Sequence, residues 1–265
     1  MDLSAYSMRI GLELAGRKPD VALLDQVIYA HQCSIPFEDI DIYDLHRGIS
    51  LEPKDLFDKM VVRKRGGYCF ELNKLFCLLL CELGFDAWGC GFTVPDPADG
   101  DIVNHRGTIV RIDGAAYFAD VGLGGPMPPF AVPLDGARKT AHGETYWVET
   151  TEDGRLALMR LRGSGILDGI ESAVGEQEQA ESLVGLFDCE ELPDWEFQAA
   201  SDLMSIGEDA SFRKERLVNL RTPEGYRAIV NDLFIEYCNG KRETMPVEGN
   251  LERILSEKFG IPVSL

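Results

Sequence analysis

Basic residues and long apolar runs are what this 265-residue sequence has least of. Asp and Glu number 45 against 26 Lys and Arg, a net charge of −19, which disfavours nucleic acid or an anionic membrane surface as a partner. No apolar run approaches the roughly 18 residues that a membrane span needs. The opening stretch, MDLSAYSMRIGLEL, has neither a basic segment nor an unbroken apolar core, so a secretory signal is not expected. We therefore expect a cytoplasmic protein.

Paired cysteine motifs and nucleotide-binding motifs are also absent from the sequence. Its seven cysteines contain no C-x-x-C pair, so neither a disulfide framework nor a zinc ribbon is indicated. Cys77 and Cys81 are four residues apart in LFCLLLCEL, where a small buried side chain is a more ordinary role than a metal ligand. No G-x-G-x-x-G and no internal repeat occur. We expect reduced thiols, no metal and no nucleotide-binding fold.

The pattern of apolar residues changes twice along the chain. In residues 1–86 the spacing is helical, which predicts a small helical bundle. In residues 87–200 short apolar stretches alternate with Asp-Gly turns, which predicts an antiparallel sheet or barrel. Residues 201–265 mix hairpin signals with a closing helix, LERILSEKFG. The acidic segment 164–191 has weak periodicity and is expected to be a long surface excursion.

The stretch RKRGGYCFELNKLF places Cys69 at the predicted start of an apolar helix. A thiol in the first turn of a helix lies near the positive end of the macrodipole and near unpaired backbone N–H groups, both of which favour thiolate. Gly66 and Gly67 lack a Cβ, so a substrate carbonyl could approach the backbone amides there. We therefore predict that Cys69 is a nucleophile, the alternative being that it is the first core residue of its helix.

A partner for this thiol is predicted from a single turn. His105 and Asp120 lie on two apolar stretches joined by Asp113-Gly114, a pair typical of two-residue type I′ hairpin loops. If the residues flanking this turn face each other, His105 and Asp120 share one face of the hairpin as diagonal neighbours. Their Cα atoms are then about 7 to 8 Å apart, which lets an imidazole and a carboxylate meet. A general base and its orienting carboxylate are thus predicted.

Four motifs together resemble the arylamine N-acetyltransferase family, of the bacterial type: IPFEDID (35–41), RGGYCFELN (65–73), NHRGTIV (104–110) and YFADVGLGG (117–125). The resemblance implies an α+β fold related to cysteine proteases and transglutaminases. It has an N-terminal helical bundle that carries the nucleophile, a central antiparallel β-barrel that carries His and Asp, and a C-terminal α/β lid. The implied catalytic triad falls on Cys69, His105 and Asp120.

The same resemblance implies the chemistry and the binding residues. The family transfers an acetyl group from acetyl-CoA to the nitrogen of an arylamine, arylhydrazine or arylhydroxylamine, by a ping-pong mechanism through an acetyl-cysteine. The residues implied to bind substrate are Phe37, Phe92, Leu123 and Phe212. Those implied to lie near the pantetheine of CoA are Asn104, Gly122, Gly124 and Gly125. The family usually has Thr where this chain has Asn104, and Phe where it has Leu123.

Anionic CoA needs a local basic patch in so acidic a protein. Two clusters in the sequence are candidates: Arg63, Lys64 and Arg65, or Arg213, Lys214 and Arg216.

Other functions remain open at this stage. A thiol hydrolase or transglutaminase-like enzyme, or an amide synthase, would use the same three residue types, and an inactive binding module would keep the fold without the chemistry. The sequence does not assign an oligomeric state.

Overall fold

Helices make up most of the first part of the protein. The structure, a computed structural model, describes residues 1–95, 102–162, 180–207 and 210–265. Its N-terminal elements are helices α1 (Leu3–Ile10) and α2 (Val21–Gln32), the short strand β1 (Phe37–Glu38), and helices α3 (Ile40–Tyr43), α4 (Pro53–Phe57) and α5 (Cys69–Glu82). A turn of π-helix, Asp58–Val62, continues α4.

Local sequence explains where the two longest of these helices begin and end. The Asp20 carboxylate caps α2 by accepting a hydrogen bond of 2.7 Å from the Leu23 amide. At the start of α5, the Glu71 carboxylate accepts a bond of 3.1 Å from the Tyr68 amide. Gly84, with φ of +89°, follows the end of α5, a conformation that glycine adopts without strain. The helix predicted to begin at Cys69 does begin there.

The second part of the protein is a nearly closed antiparallel barrel. Its strands are β2 (Asp86–Thr93), β3 (His105–Ile112), β4 (Ala115–Ala119), β5 (Val132–Pro133), β6 (Lys139–Ala141), β7 (Glu144–Thr150), β8 (Leu156–Leu161) and β9 (Glu181–Phe187). They are ordered β5-β4-β3-β2-β9-β8-β7-β6, and β5 lies against β7. Phe92, Phe118 and Phe187 pack together inside the barrel.

The β3–β4 hairpin has the predicted register. Asp113 and Gly114 have φ values of +50° and +84°, the positive values that a type I′ turn requires at both positions. Ile112 therefore faces Ala115, and the pairing continues to Thr108 opposite Ala119. This register carries His105 and Asp120 to the same end of the hairpin.

The predicted surface excursion at 164–191 is wrong for its last third. Residues 181–187 form β9, which pairs with β2 and β8, and its Val184 and Phe187 side chains are buried. Gly185 interrupts the apolar alternation because a Cβ there would lie 2.1 Å from the Phe92 ring, so the strand pattern is weak in the sequence. Residues 164–179 lie outside the described residues.

The third part of the protein is a sheet flanked by helices. It contains α6 (Asp194–Ser205), a 3₁₀ turn (Ser211–Arg213), strands β10 (Leu217–Thr222), β11 (Gly225–Val230), β12 (Leu233–Cys238) and β13 (Lys241–Pro246), and helix α7 (Leu251–Phe259). Strand β1 joins this sheet by pairing with β10, and α6 packs its Phe197 against the helical part. The division into domains at residues 86 and 200 remains a prediction.

No helix in the described ranges combines the length and the apolar character needed to cross a membrane.

Candidate active site

A cavity of about 300 Å³ opens beside the first turn of α5. Its wall contains six of the residues predicted from the sequence to act in catalysis or binding: Phe37, Cys69, Asn104, His105, Leu123 and Phe212. These residues come from the helical part, the barrel and the segment before β10. The fold thus gathers them at the point where its three parts meet.

His105 and Asp120 are in direct contact beside this cavity. Nε2 of His105 lies 2.5 Å from Oδ2 of Asp120, and both side chains are buried. Because Nε2–H donates to the carboxylate, Nδ1 is the ring nitrogen left to accept a proton. The second carboxylate oxygen, Oδ1, accepts bonds of 2.7 Å from the Gly122 amide and 3.1 Å from Nδ2 of Asn73. The carboxylate is therefore fixed on both sides.

Asn73 is a positioning residue that the sequence analysis did not identify. It lies one helical turn after Cys69 on α5, and its Oδ1 accepts a bond of 3.0 Å from the Val121 amide. Its side chain thus ties the helix of the thiol to the strand end that carries Asp120. The signal available in the sequence is the spacing of four residues from Cys69, which places the two side chains on one face of a helix.

The surroundings of Cys69 oppose the thiolate that the sequence-based expectation favoured. Its side chain is only 3% exposed. Burial raises the pKa of the Cys69 thiol well above its usual value, the Asp120 carboxylate raises it further, and the Phe70 amide opposes these effects. The prediction from helix position alone left out burial. The helix terminus alone therefore does not make this thiol acidic.

The two glycines before Cys69 pack closely against neighbouring parts of the chain. A Cβ on Gly66 would lie 2.1 Å from the Pro36 carbonyl oxygen, and one on Gly67 would lie 3.0 Å from Glu71. The Gly67 amide donates to the Pro36 oxygen at 3.3 Å, so it is not available to an oxyanion. These glycines allow the loop to pack closely on the chain around β1, which holds Cys69 in place.

The two predicted basic clusters are partly used inside the fold. Arg65 is buried and donates to both carboxylate oxygens of Glu38, at 2.8 and 3.0 Å. Arg216 donates to the carboxylate of Asp44 from Nε at 3.1 Å. Neither guanidinium can serve a CoA phosphate without breaking its ion pair. Each of the two alternative clusters therefore has one member that is already paired within the fold.

Phe92 is not part of the cavity wall, contrary to the sequence-based assignment. It is fully buried in the barrel, where its ring meets the His105 imidazole edge to face with centroids 5.2 Å apart. Strand β2 pairs with β3 so that Phe92 and His105 are opposite each other, and this pairing turns the ring inward. Phe92 therefore packs against His105 and is not part of the lining of this cavity.

The residues that the sequence assigns to CoA binding lie in different surroundings. Gly122 packs against Leu72, and Gly124, with φ of +77°, packs against the Phe37 ring. Both glycines lie in the loop after β4, and neither lines the first cavity. The Asn104 side chain pairs with the backbone of Val94 through two bonds of 2.8 Å.

A second cavity, of about 560 Å³, adjoins the first. Both cavities are lined by Val94, Pro95 and Leu123, and the second is also lined by Gly125. Its remaining wall contains charged and polar residues that the sequence analysis did not select: Arg160, Arg162 and Ser182. The available signal was LMRLR, in which two arginines alternate with apolar residues along a strand.

In the described ranges, no three His, Cys, Asp or Glu side chains are grouped so that they could hold a metal ion.

Comparison with known proteins gives the family. A family model described as N-acetyltransferase matches residues 20–265. The arylamine N-acetyltransferase / N-hydroxyarylamine O-acetyltransferase of Salmonella typhimurium is 28% identical over 271 residues, which cover 99% of this chain and 89% of that protein.

Solved structures agree in fold over nearly the whole chain. The arylamine N-acetyltransferase from M. tuberculosis is 26% identical with a TM-score of 0.85, and the match covers 99% of this chain and 94% of that one. The Mycobacterium marinum enzyme, solved in complex with CoA, is 23% identical with a TM-score of 0.84 over 98% and 93% of the two chains. The predicted α+β fold class is thereby confirmed. The chain belongs to the arylamine N-acetyltransferase family.

Proposed function

We propose that this protein transfers an acetyl or other short acyl group from acyl-CoA to the nitrogen of an arylamine, arylhydrazine or arylhydroxylamine. The observation that carries the proposal is the contact between His105 and Asp120 beside a cavity that Cys69 and His105 both line. Family membership supports the same activity. Phe37, Leu123 and Phe212 would contact the acyl group and the aromatic acceptor.

In the first half-reaction, His105 accepts the Cys69 proton at Nδ1 while Asp120 holds Nε2–H and stabilises the resulting charge. The thiolate attacks the thioester carbonyl of acetyl-CoA and forms a C–S bond, and the carbonyl oxygen becomes an oxyanion. Collapse of this intermediate breaks the bond to CoA. The CoA thiolate leaves and takes the proton from the imidazolium, which restores His105.

In the second half-reaction, the acceptor nitrogen attacks the acetyl-cysteine carbonyl and forms a C–N bond. His105 accepts the proton that this nitrogen loses. Collapse of the intermediate breaks the C–S bond, and Cys69 leaves as a thiolate that takes this proton back from the His105 imidazolium. Donor and acceptor thus use one cavity in turn, which gives ping-pong kinetics. Amide formation from a thioester is downhill, so the overall transfer is favourable.

The walls of the cavity support an aromatic acceptor over water. The rings of Phe37 and Phe212 lie 6.1 Å apart between centroids, and Leu217 and Met204 complete an apolar surface near the thiol. Aromatic rings bury much surface against such walls, whereas water gains nothing from them. A thiol hydrolase using the same three residues would lack this advantage for its acceptor.

All seven cysteines are free in the structure, which fits a reducing compartment. A cytoplasmic location is part of this proposal.

The decisive experiment offers acetyl-CoA to the protein without an acceptor and measures its intact mass. We expect one acetyl group, mapped to Cys69 by peptide analysis. Cys69→Ser should remain unmodified, while the exposed Cys81→Ser control should be acetylated like the wild type. Adding an arylamine should then release acetylated amine, with parallel double-reciprocal plots. Acetylation of another cysteine, or release of acetate only, would contradict the proposal.

A further inference from the structure

A buried amide outside the proposed triad holds the main chain of Asp120. Gln32, the last residue of α2, donates from Nε2 to the carbonyl oxygen of Asp120 at 2.9 Å and to that of Pro128 at 2.8 Å. We propose that Gln32 is a positioning residue of the reaction, which fixes Asp120 so that its carboxylate faces His105. The inference rests on the proposed function, because it assumes that Asp120 acts on Cys69 through His105.

The amide of Gln32 has one orientation that satisfies these contacts. A carbonyl oxygen only accepts hydrogen bonds, and the NH₂ group holds both donors of a glutamine side chain. The NH₂ group must therefore point at Asp120 and Pro128, and it uses one proton on each. Gln32 is only 2% exposed, so water has little access to these bonds, and limited access of water strengthens them.

The two carbonyl groups bracket the loop after β4. Asp120 comes directly before residues 121–127 and Pro128 directly after them, so a single NH₂ group ties the two ends of the loop together. Within the loop lies Gly122, whose amide donates to the Asp120 carboxylate at 2.7 Å. Gln32 therefore restrains both the main chain that carries the carboxylate and the loop that supplies one of its donors.

Helix α2 provides a second contact to the same part of the chain. Asp25 lies seven residues before Gln32, on the same face of the helix, and its carboxylate accepts a bond of 2.9 Å from the Ala131 amide. The roles of the two helices around Asp120 differ. Asn73 of α5 orients the side chain of Asp120, whereas Gln32 of α2 fixes its main chain.

The test measures acetylation of Cys69 by acetyl-CoA in a single turnover. Gln32→Met removes the donors but keeps a side chain of similar length. We expect the rate to fall by about ten- to 100-fold, because small displacements of a catalytic group have effects of this order. Gln32→Glu keeps the shape but can donate at most one hydrogen bond, so it should also be slow.

The matched control is Gln198→Met, the same substitution on helix α6. Gln198 also donates from Nε2 to a main-chain carbonyl, that of Ile49 at 3.4 Å, and it lines neither of the two cavities. This control should acetylate at the wild-type rate.

A double-mutant cycle with Asp120→Asn separates positioning from a general loss of structure. If Gln32 acts through the carboxylate, Gln32→Met should change the acetylation rate of Asp120→Asn by less than about twofold. A purely structural effect would slow both backgrounds by the same factor.

Proton NMR observes the contact between His105 and Asp120 without any acetyl-CoA. Nε2 of His105 lies 2.5 Å from Oδ2 of Asp120, and the proton in so short a charge-assisted hydrogen bond is strongly deshielded. We expect this signal in the wild type and in Gln198→Met. In Gln32→Met it should move upfield or disappear.

Three results would overturn the proposal: wild-type acetylation in a folded Gln32→Met or Gln32→Glu protein, an equal loss in Gln198→Met, or the same factor in both backgrounds of the cycle. With the first result the acetyltransferase would still stand. If the wild type is never acetylated at Cys69, the proposed function is refuted and the NMR signal decides the inference. A signal that changes in Gln32→Met would then support the positioning role, and an unchanged signal would refute it.

Discussion

Replacement of Asp120 by Asn should move the ring proton of His105 from Nε2 to Nδ1. In the wild type, Oδ1 of Asp120 accepts bonds from the Gly122 amide and from Asn73, and Oδ2 accepts one from Nε2 of His105. An asparagine keeps its oxygen toward the two donors, because turning its NH₂ group toward them would leave buried donors unpaired at about 1 to 3 kcal/mol each. Its NH₂ group then faces His105.

An NH₂ group facing Nε2 requires that nitrogen to accept a hydrogen bond. The imidazole proton must then reside on Nδ1, the nitrogen that takes the proton from Cys69, so the base is blocked by its own tautomer. The charge that stabilises the imidazolium is lost as well. We expect the rate of Cys69 acetylation to fall by about 10³- to 10⁴-fold. Burial also raises the pKa of the Cys69 thiol, so the thiol does not compensate for the blocked base by ionising on its own.

The assay follows release of CoA in a single turnover, with the free energy of unfolding measured by urea titration. Asp113→Asn is the matched control, since it makes the same chemical change on the same hairpin at a turn position with φ of +50° that Asn adopts readily. The control should acetylate at the wild-type rate. A folded Asp120→Asn protein whose acetylation rate is within fivefold of wild type would refute the assignment of Asp120 and the tautomer argument together.

Two further predictions concern stability. Arg65→Met should lower the free energy of unfolding by about 3 to 5 kcal/mol, because it leaves the buried Glu38 carboxylate without its charged partner. Arg63→Met, which removes one member of an exposed ion pair, should cost less than about 1 kcal/mol in the same urea titration. Similar losses in the two variants would contradict this reasoning. Burial, opposed by a hydrogen bond from the Leu217 amide and aided by the charge of Glu38, raises the pKa of Asp39 to about 8. Since this folded pKa lies above the unfolded value, the contribution of Asp39 to stability is full below about pH 4 and is lost as pH rises to about 8. The free energy of unfolding of Asp39→Asn, relative to that of the wild type, should therefore be higher at pH 8 than at pH 5. The same relative value at both pH values would refute this prediction.

The parts of the site that could be predicted from the sequence depend on local geometry. His105 and Asp120 are 15 residues apart but are joined by one hairpin, so a single turn dipeptide fixes their register. The start of α5 at Cys69 is likewise a local property. Neither prediction needed knowledge of which elements pack together, and both agree with the structure.

The parts that could not be predicted depend on contacts between distant elements. Asn73 reaches Asp120 across 47 residues, and Arg65 reaches Glu38 across 27, through packing that no local pattern specifies. Phe92 is expected from the sequence to bind substrate, but its side chain lies in the barrel interior because its strand, β2, pairs with β3. Arg160 and Arg162 line the second cavity together with Ser182 of β9, a strand whose weak pattern does not predict the pairing of β8 with β9.

The burial of Cys69 affects how Cys69, His105 and Asp120 would share a proton. A thiol at an exposed helix terminus can ionise with the help of the macrodipole alone, which is worth about 0.3 to 1 kcal/mol at a surface. Here burial and the Asp120 carboxylate both oppose the thiolate and raise the pKa of the Cys69 thiol, although the Phe70 amide acts in the other direction. In the proposed mechanism the thiolate forms as its proton moves to His105, and the contact with Asp120 then stabilises the new cation. The carboxylate that disfavours the isolated thiolate thus favours the thiolate and imidazolium as a pair, so removing Asp120 should affect proton transfer more than thiol acidity.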